Sequence, residues 1–130
     1  EEFKCVLYAQ MGERMTVKEC YAAMGGDYEG MLGRFRSEDR IMRFLGKFLN
    51  DKTFDNLSAA LAAGNQEEAF RGAHTLKGVA QNLSMTRLYL SSEKLTEHLR
   101  AGSCEGAEEL MAQVDADYHE AVSAVRSLDV

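Results

Sequence analysis

Apolar residues recur along the chain at steps of three and four, the spacing that puts them on one face of an α-helix. Ile41, Met42, Leu45, Phe48 and Leu49 form such a stripe, with Ser37 placed to cap a helix from Glu38 to about Leu49. Phe54, Leu57 and Leu61 continue the spacing over Phe54 to Ala63 and end at Gly64, a natural left-handed terminator. This segment either prolongs the preceding helix or breaks from it near Asn50-Asp51. Asn65 with Glu68 resembles a capping box and starts a helix that runs to about Leu83. Its Ala69, Ala73, Leu76, Ala80 and Leu83 make a narrow heptad seam, and the alanines imply close helix approach. Thr86 is placed to cap a helix to about Ala101 with Leu88, Leu95 and Leu99 inward and Gly102 as the stop. A last helix spans about Glu105 to Leu128, carrying Leu110, Met111, Val114, Tyr118, Ala121, Val122 and Val125. Upstream, a short segment from about Thr16 to Met24 closes at Gly25-Gly26, and Asp27 caps a helix to about Arg36.

Four substantial helices with short connections are best buried as an antiparallel four-helix bundle, here with short additional N-terminal helices. The expected fold class is therefore all-α, with one domain over 1–130, a bundle core over about 37–128 and capping helices within 1–36. Composition agrees: 130 residues suffice for one core, the hydrophobic fraction is 45%, and proline is absent.

A net charge of −6 disfavours nucleic acid and anionic membranes as partners. Cys5, Cys20 and Cys104 are odd in number and widely spaced, which fits neither a disulfide framework nor a zinc ligand set and points to a reducing, cytoplasmic setting. The stretch Glu1 to Cys5 has no basic region leading into an apolar core, and no window approaches the roughly 18 apolar residues of a spanning helix, so neither export nor membrane insertion is expected. The first residue is Glu1, which leaves open whether a longer chain precedes it.

Against this acidic background, residues 71 to 100 hold five basic residues and two acidic ones. Within them Arg71, His74, Lys77, Gly78 and Gln81 fall on one helical face beside the alanine seam. A histidine with a cation one turn before it and another one turn after suggests an anion site. Near neutral pH an ordinary imidazole is in large part uncharged and is then a competent nucleophile toward phosphorus. Lys77 can neutralise charge that spreads over a phosphoryl group in transfer. Gly78 costs about 1 kcal/mol inside a helix relative to Ala, and a bare surface beside the imidazole, reachable by a partner, is a reason to keep it. Arg71 pairs as readily with Glu67 or Glu68, Gly72 reads as a close-packing glycine, and His98 and His119 read as surface residues. No phosphate-binding loop or second catalytic base accompanies His74, so autonomous kinase activity is not expected.

The run Ala73-His74-Thr75-Leu76-Lys77-Gly78 resembles the phosphoacceptor motif H-x-L-K-G of histidine phosphotransfer domains, and the likeness covers most of the chain, from about Thr16 onward. It implies that His74 accepts a phosphoryl group on Nε2 from a receiver-domain aspartate and passes it on in a two-component phosphorelay, with Lys77 holding phosphate and Gly78 giving the receiver room. The implied partners are receiver domains or a hybrid sensor kinase, and the chain is expected to be a cytoplasmic monomer without a cofactor or metal of its own, magnesium belonging to the receiver. Arg71, Gln81 and Arg100 are candidate partner contacts. Two positions depart from the family pattern: Ser84 where glycine is frequent, and Thr96 where an acidic or amide residue often follows the leucine. These keep open a rival reading, a bundle that docks receivers or other partners without being phosphorylated. A metal-dependent enzyme using His74, His98 and His119 lacks the paired ligand spacing it needs.

Overall fold

A computed structural model describes residues 14–128, and everything structural below concerns these. Cys5 and the stretch Glu1 to Cys5 lie outside them. Seven helices occur among the described residues: α1 Val17–Ala23, α2 Tyr28–Phe35, α3 Glu38–Leu49, α4 Thr53–Ala62, α5 Gln66–Asn82, α6 Thr86–Arg100 and α7 Glu108–Arg126.

The protein is all-helical. Helix α5 packs chiefly on α6 and α4, and α6 packs on α7; the short connections between them make neighbours antiparallel. Helices α1 and α3 both pack on α7, and α2 packs on α1 and α3. A backbone bond from the Met15 N–H to the Ser127 carbonyl, 2.6 Å, ties the first described residues to the end of α7. One hydrophobic core runs through all seven helices. The leucines Leu45, Leu57, Leu95 and Leu99 are fully buried, each worth about 1.5–3 kcal/mol of transfer free energy.

Side-chain caps start α2, α3 and α5 where expected, and a further one starts α1. Asp27 accepts from the Gly30 N–H, Ser37 from the Arg40 N–H and Asn65 from the Glu68 N–H. The full reciprocal capping box, however, is at Thr16 and Glu19. At Asn65 it is only half made, because the Glu68 carboxylate turns to Arg71.

The question of one helix or two over residues 38–63 resolves as two. Asp51 accepts from the Thr53 N–H at 2.7 Å and breaks the run at 50–52. Thr86 is not a cap: Met85 occupies that position without a side-chain bond, and Thr86 is the first helical residue. The capping acceptor comes from elsewhere in the fold, since the Arg87 N–H donates to the Gly25 carbonyl at 3.1 Å. Helix α7 begins at Glu108, later than Glu105, because Gly106 is left-handed at φ +80° and the Glu105 N–H is taken by the Ser103 hydroxyl.

The seam of α5 is buried as the alanines imply, with Ala69, Ala73, Leu76 and Ala80 at 0–1% exposure. Gly72 lets α4 approach, for a Cβ there would meet the backbone and Cβ of Leu57 at 3.1 Å. This rigid α4–α5–α6 layer holds the opposite face of α5 toward solvent.

Candidate functional site

His74 lies in the middle of α5, exposed, with its backbone fixed by the buried residues on either side of it, Ala73 and Leu76. Gly78 and Gln81 are exposed along the same stripe, and Lys77 is half-buried beside them. A Cβ at Gly78 would meet nothing within 4 Å, so no packing requirement explains this glycine. An open depression next to it is lined by Arg34, Thr75, Gly78, Val79, Gln81 and Asn82. A partner's side chains therefore have room to reach the imidazole from the Gly78 side.

The charges around the histidine are distributed differently from the even pair the sequence suggested. Arg71 is turned to Glu67, 3.1 Å, and to Glu68, so the cation one turn before His74 is neutralised in place. Arg100 grips Glu97 through Nε, 3.2 Å to each carboxylate oxygen, and through Nη2 at 3.0 Å. Arg87 pairs with Glu120. Three of the five basic residues counted over 71–100 are thus paired, and Lys77 forms no ion pair among the described residues. It is the cation nearest in sequence that remains available to an anion at His74. The Glu97 carboxyl is held below the usual carboxylate range, first by its hydrogen bond from Arg100, which outweighs the opposing effect of burial, and further by the charge of Arg100 and Lys77. This places an ionised carboxylate at the edge of the site.

Two aromatic contacts were not legible as site features. The ring of Phe70, one turn before His74, stacks on the imidazole at 5.9 Å between centroids and 25° between planes. Arg100 sits over the same Phe70 ring, its Cζ 5.1 Å from the centroid. The i, i+4 spacing of Phe70 and His74 was the signal that could have revealed the first contact. Nothing local could have revealed Arg34, on α2, which reaches the end of α5 and donates to the Gln81 carbonyl at 3.4 Å and to the Ser84 hydroxyl.

Both departures from the motif have a physical account. Ser84 takes the left-handed conformation at φ +55° that a glycine would adopt without strain, and its hydroxyl is held by Arg34. Thr96 is fully buried and donates its hydroxyl to the Ser92 carbonyl at 2.7 Å, so it does not serve the imidazole. The other histidines are occupied: His98 Nε2 bonds the Glu105 carbonyl at 2.6 Å, and His119 Nδ1 lies 2.9 Å from both the carbonyl and a carboxylate oxygen of Asp115. Among the described residues no group of three or more His, Cys, Asp or Glu side chains is arranged to hold a metal ion. Cys20 is buried and Cys104 half-buried, both as free thiols.

The all-helical fold, with His74 exposed in the middle of α5 and stacked on Phe70, accords with the comparison with protein families. The Hpt domain model matches residues 48–126, more than half of the chain, and the chain belongs to this family of histidine phosphotransfer domains. No curated protein and no solved structure matches it. Membership implies a phosphotransfer role in two-component relays, in company with receiver domains or kinases, and domains of this family are phosphocarriers rather than kinases. No helix among the described residues is long and apolar enough to cross a membrane.

Proposed function

We propose that His74 is the phosphoacceptor, taking a phosphoryl group from a receiver-domain aspartate and passing it on to another. The observation that carries this reading is the state of the side chain itself: exposed in mid-helix, without a hydrogen-bond partner among the described residues, and flanked by a glycine that packs on nothing.

In the transfer, the uncharged imidazole keeps its proton on Nδ1 and attacks phosphorus with the Nε2 lone pair. The N–P bond forms as the acyl phosphate's P–O bond breaks, and the electron pair leaves on the partner's aspartate carboxylate. Onward transfer reverses these bonds with a second receiver. Lys77 offsets charge on the equatorial oxygens, and Gly78 admits the receiver's active site. Gln81 and Arg34 border the approach and are offered as partner contacts, whereas Arg71 and Arg100 contribute through their acidic partners at the rim. The chain needs no cofactor of its own, since magnesium and the phosphoaspartate arrive with the receiver. Its net charge of −6 argues against nucleic acid as partner, and a monomer in the cytoplasm is the state this role calls for.

The test is transfer from a panel of phosphorylated receivers to the protein and to His74→Gln, scored for acid-labile, alkali-stable label. Label on the wild type alone supports the relay. Receiver binding that survives in His74→Gln, with no label on either protein, supports the docking module instead.

A further inference from the structure

A histidine ring turns with a broad, shallow preference about its Cβ–Cγ bond, so an imidazole without a hydrogen bond needs another restraint to present one nitrogen in one direction. In this fold α6 does not supply it, because the Thr96 hydroxyl is buried and spent on Ser92. What does face the imidazole is the Phe70 ring, nearly parallel to it at 5.9 Å. Phe70 is itself half-buried and packed against the core. Arg100 lies over the ring at 5.1 Å, and the Arg100 fork is fixed by three contacts of 3.0–3.2 Å to Glu97. A carboxylate, a guanidinium, a phenyl ring and an imidazole thus form one connected row from α6 to α5.

Resting on the relay reading, we infer that Phe70 is a positioning residue for phosphoryl transfer at His74: stacked on the imidazole and steadied by the Arg100–Glu97 pair, it holds the plane in which the nucleophilic nitrogen meets the receiver's phosphoryl group. Aromatic stacking of this kind biases a ring's orientation about two- to tenfold. In-line displacement inside a docked complex is sensitive to that bias, because the phosphorus cannot move to meet a misaligned nitrogen. A small donor free in solution can approach from any side and is far less sensitive. The same row explains why Arg100, though beside the site, is an anchor for Phe70 and not a ligand of the phosphate.

The experiment measures single-turnover transfer from a phosphorylated receiver that labels the wild type, and labelling by phosphoramidate, on wild type, Phe70→Leu and Phe70→Tyr. The ratio of receiver-driven to phosphoramidate-driven rate is expected to fall about three- to tenfold in Phe70→Leu and to recover in Phe70→Tyr. An unchanged ratio overturns the inference, whether both rates stay level or fall together with the thermal midpoint, and so does failure of Tyr to restore it. If no receiver labels the wild type, the relay reading fails, and the ring contacts measured below decide separately whether Phe70 holds the imidazole. Nuclear Overhauser contacts between the Phe70 and His74 rings, expected in the wild type, check the stacked geometry without any phosphate present, and their absence also overturns the inference.

Discussion

The middle of α5 and its C-terminal end, less than three turns apart on the same helix, are built on opposite terms. Around His74 the nearest neighbours on the exposed face are a bare glycine, a lysine without an ion pair among the described residues and a stacked ring. At Leu83–Ser84 both carbonyls and the serine hydroxyl are engaged from a distant part of the chain. The Tyr21 hydroxyl donates to the Leu83 carbonyl at 2.8 Å, the Asp27 N–H to the Ser84 carbonyl at 2.9 Å, and Arg34 holds the Ser84 hydroxyl. Beyond the turn, the Arg87 guanidinium lies where a Cβ on Gly25 would be and pairs with the largely buried Glu120. The helix is pinned at its end by hydrogen bonds from other elements, whereas the imidazole in its middle is held by the backbone beneath it and by the stacked Phe70 ring.

Breaking the pinned region is expected to cost the most. Arg87→Ala withdraws one partner of a carboxylate that is only 7% exposed, and a loss of about 1.5–3 kcal/mol in unfolding free energy is expected from chemical denaturation. Next in size, Lys77→Ala is expected to slow transfer from a receiver about tenfold to a hundredfold while leaving the denaturation midpoint nearly in place, the mirror image of the first result. Tyr21→Phe leaves the buried Leu83 carbonyl without its donor and is expected to cost about 1–2 kcal/mol.

Tyr21 also carries a pH signature. Burial, reinforced by Cys20 and weakly opposed by Arg34, pushes its phenol well above the usual range. The folded state therefore keeps a proton that the unfolded chain releases. This contribution to stability is present in full below about pH 10 and lost as pH rises beyond it. Alkaline titration of the melting midpoint should fall less steeply in Tyr21→Phe. The smallest effects separate two glycines of α5. Gly78→Ala has open space for its methyl and gains helix propensity, so it should stabilise by about 0.5–1 kcal/mol. Gly72→Ala meets Leu57 at 3.1 Å and should not gain.

The same contrast explains what the sequence could disclose. Helix starts at Asp27, Ser37 and Asn65 were legible because cap and amide lie three residues apart. The start of α6 was misread at Thr86 because its acceptor, the Gly25 carbonyl, is supplied by tertiary contact. The His74 face was legible from helical periodicity and from the motif, since both are local. The Arg34, Tyr21 and Glu120 interactions were not, their partners lying 33 to 62 residues away. The pairing of Arg71 with Glu67 and Glu68 was legible because the acids lie within one turn, whereas the Arg100–Glu97 pair was not drawn from the charge count, which does not say which charges are spent.

The most direct measurement is to load the wild-type protein from a phosphorylated receiver and locate the phosphate by phosphorus NMR and peptide mapping under alkaline conditions. The account predicts a single phosphoramidate, on Nε2 of His74, that disappears on acidification. Phosphate on His98 or His119, or an acid-stable ester on Ser or Thr, would contradict it.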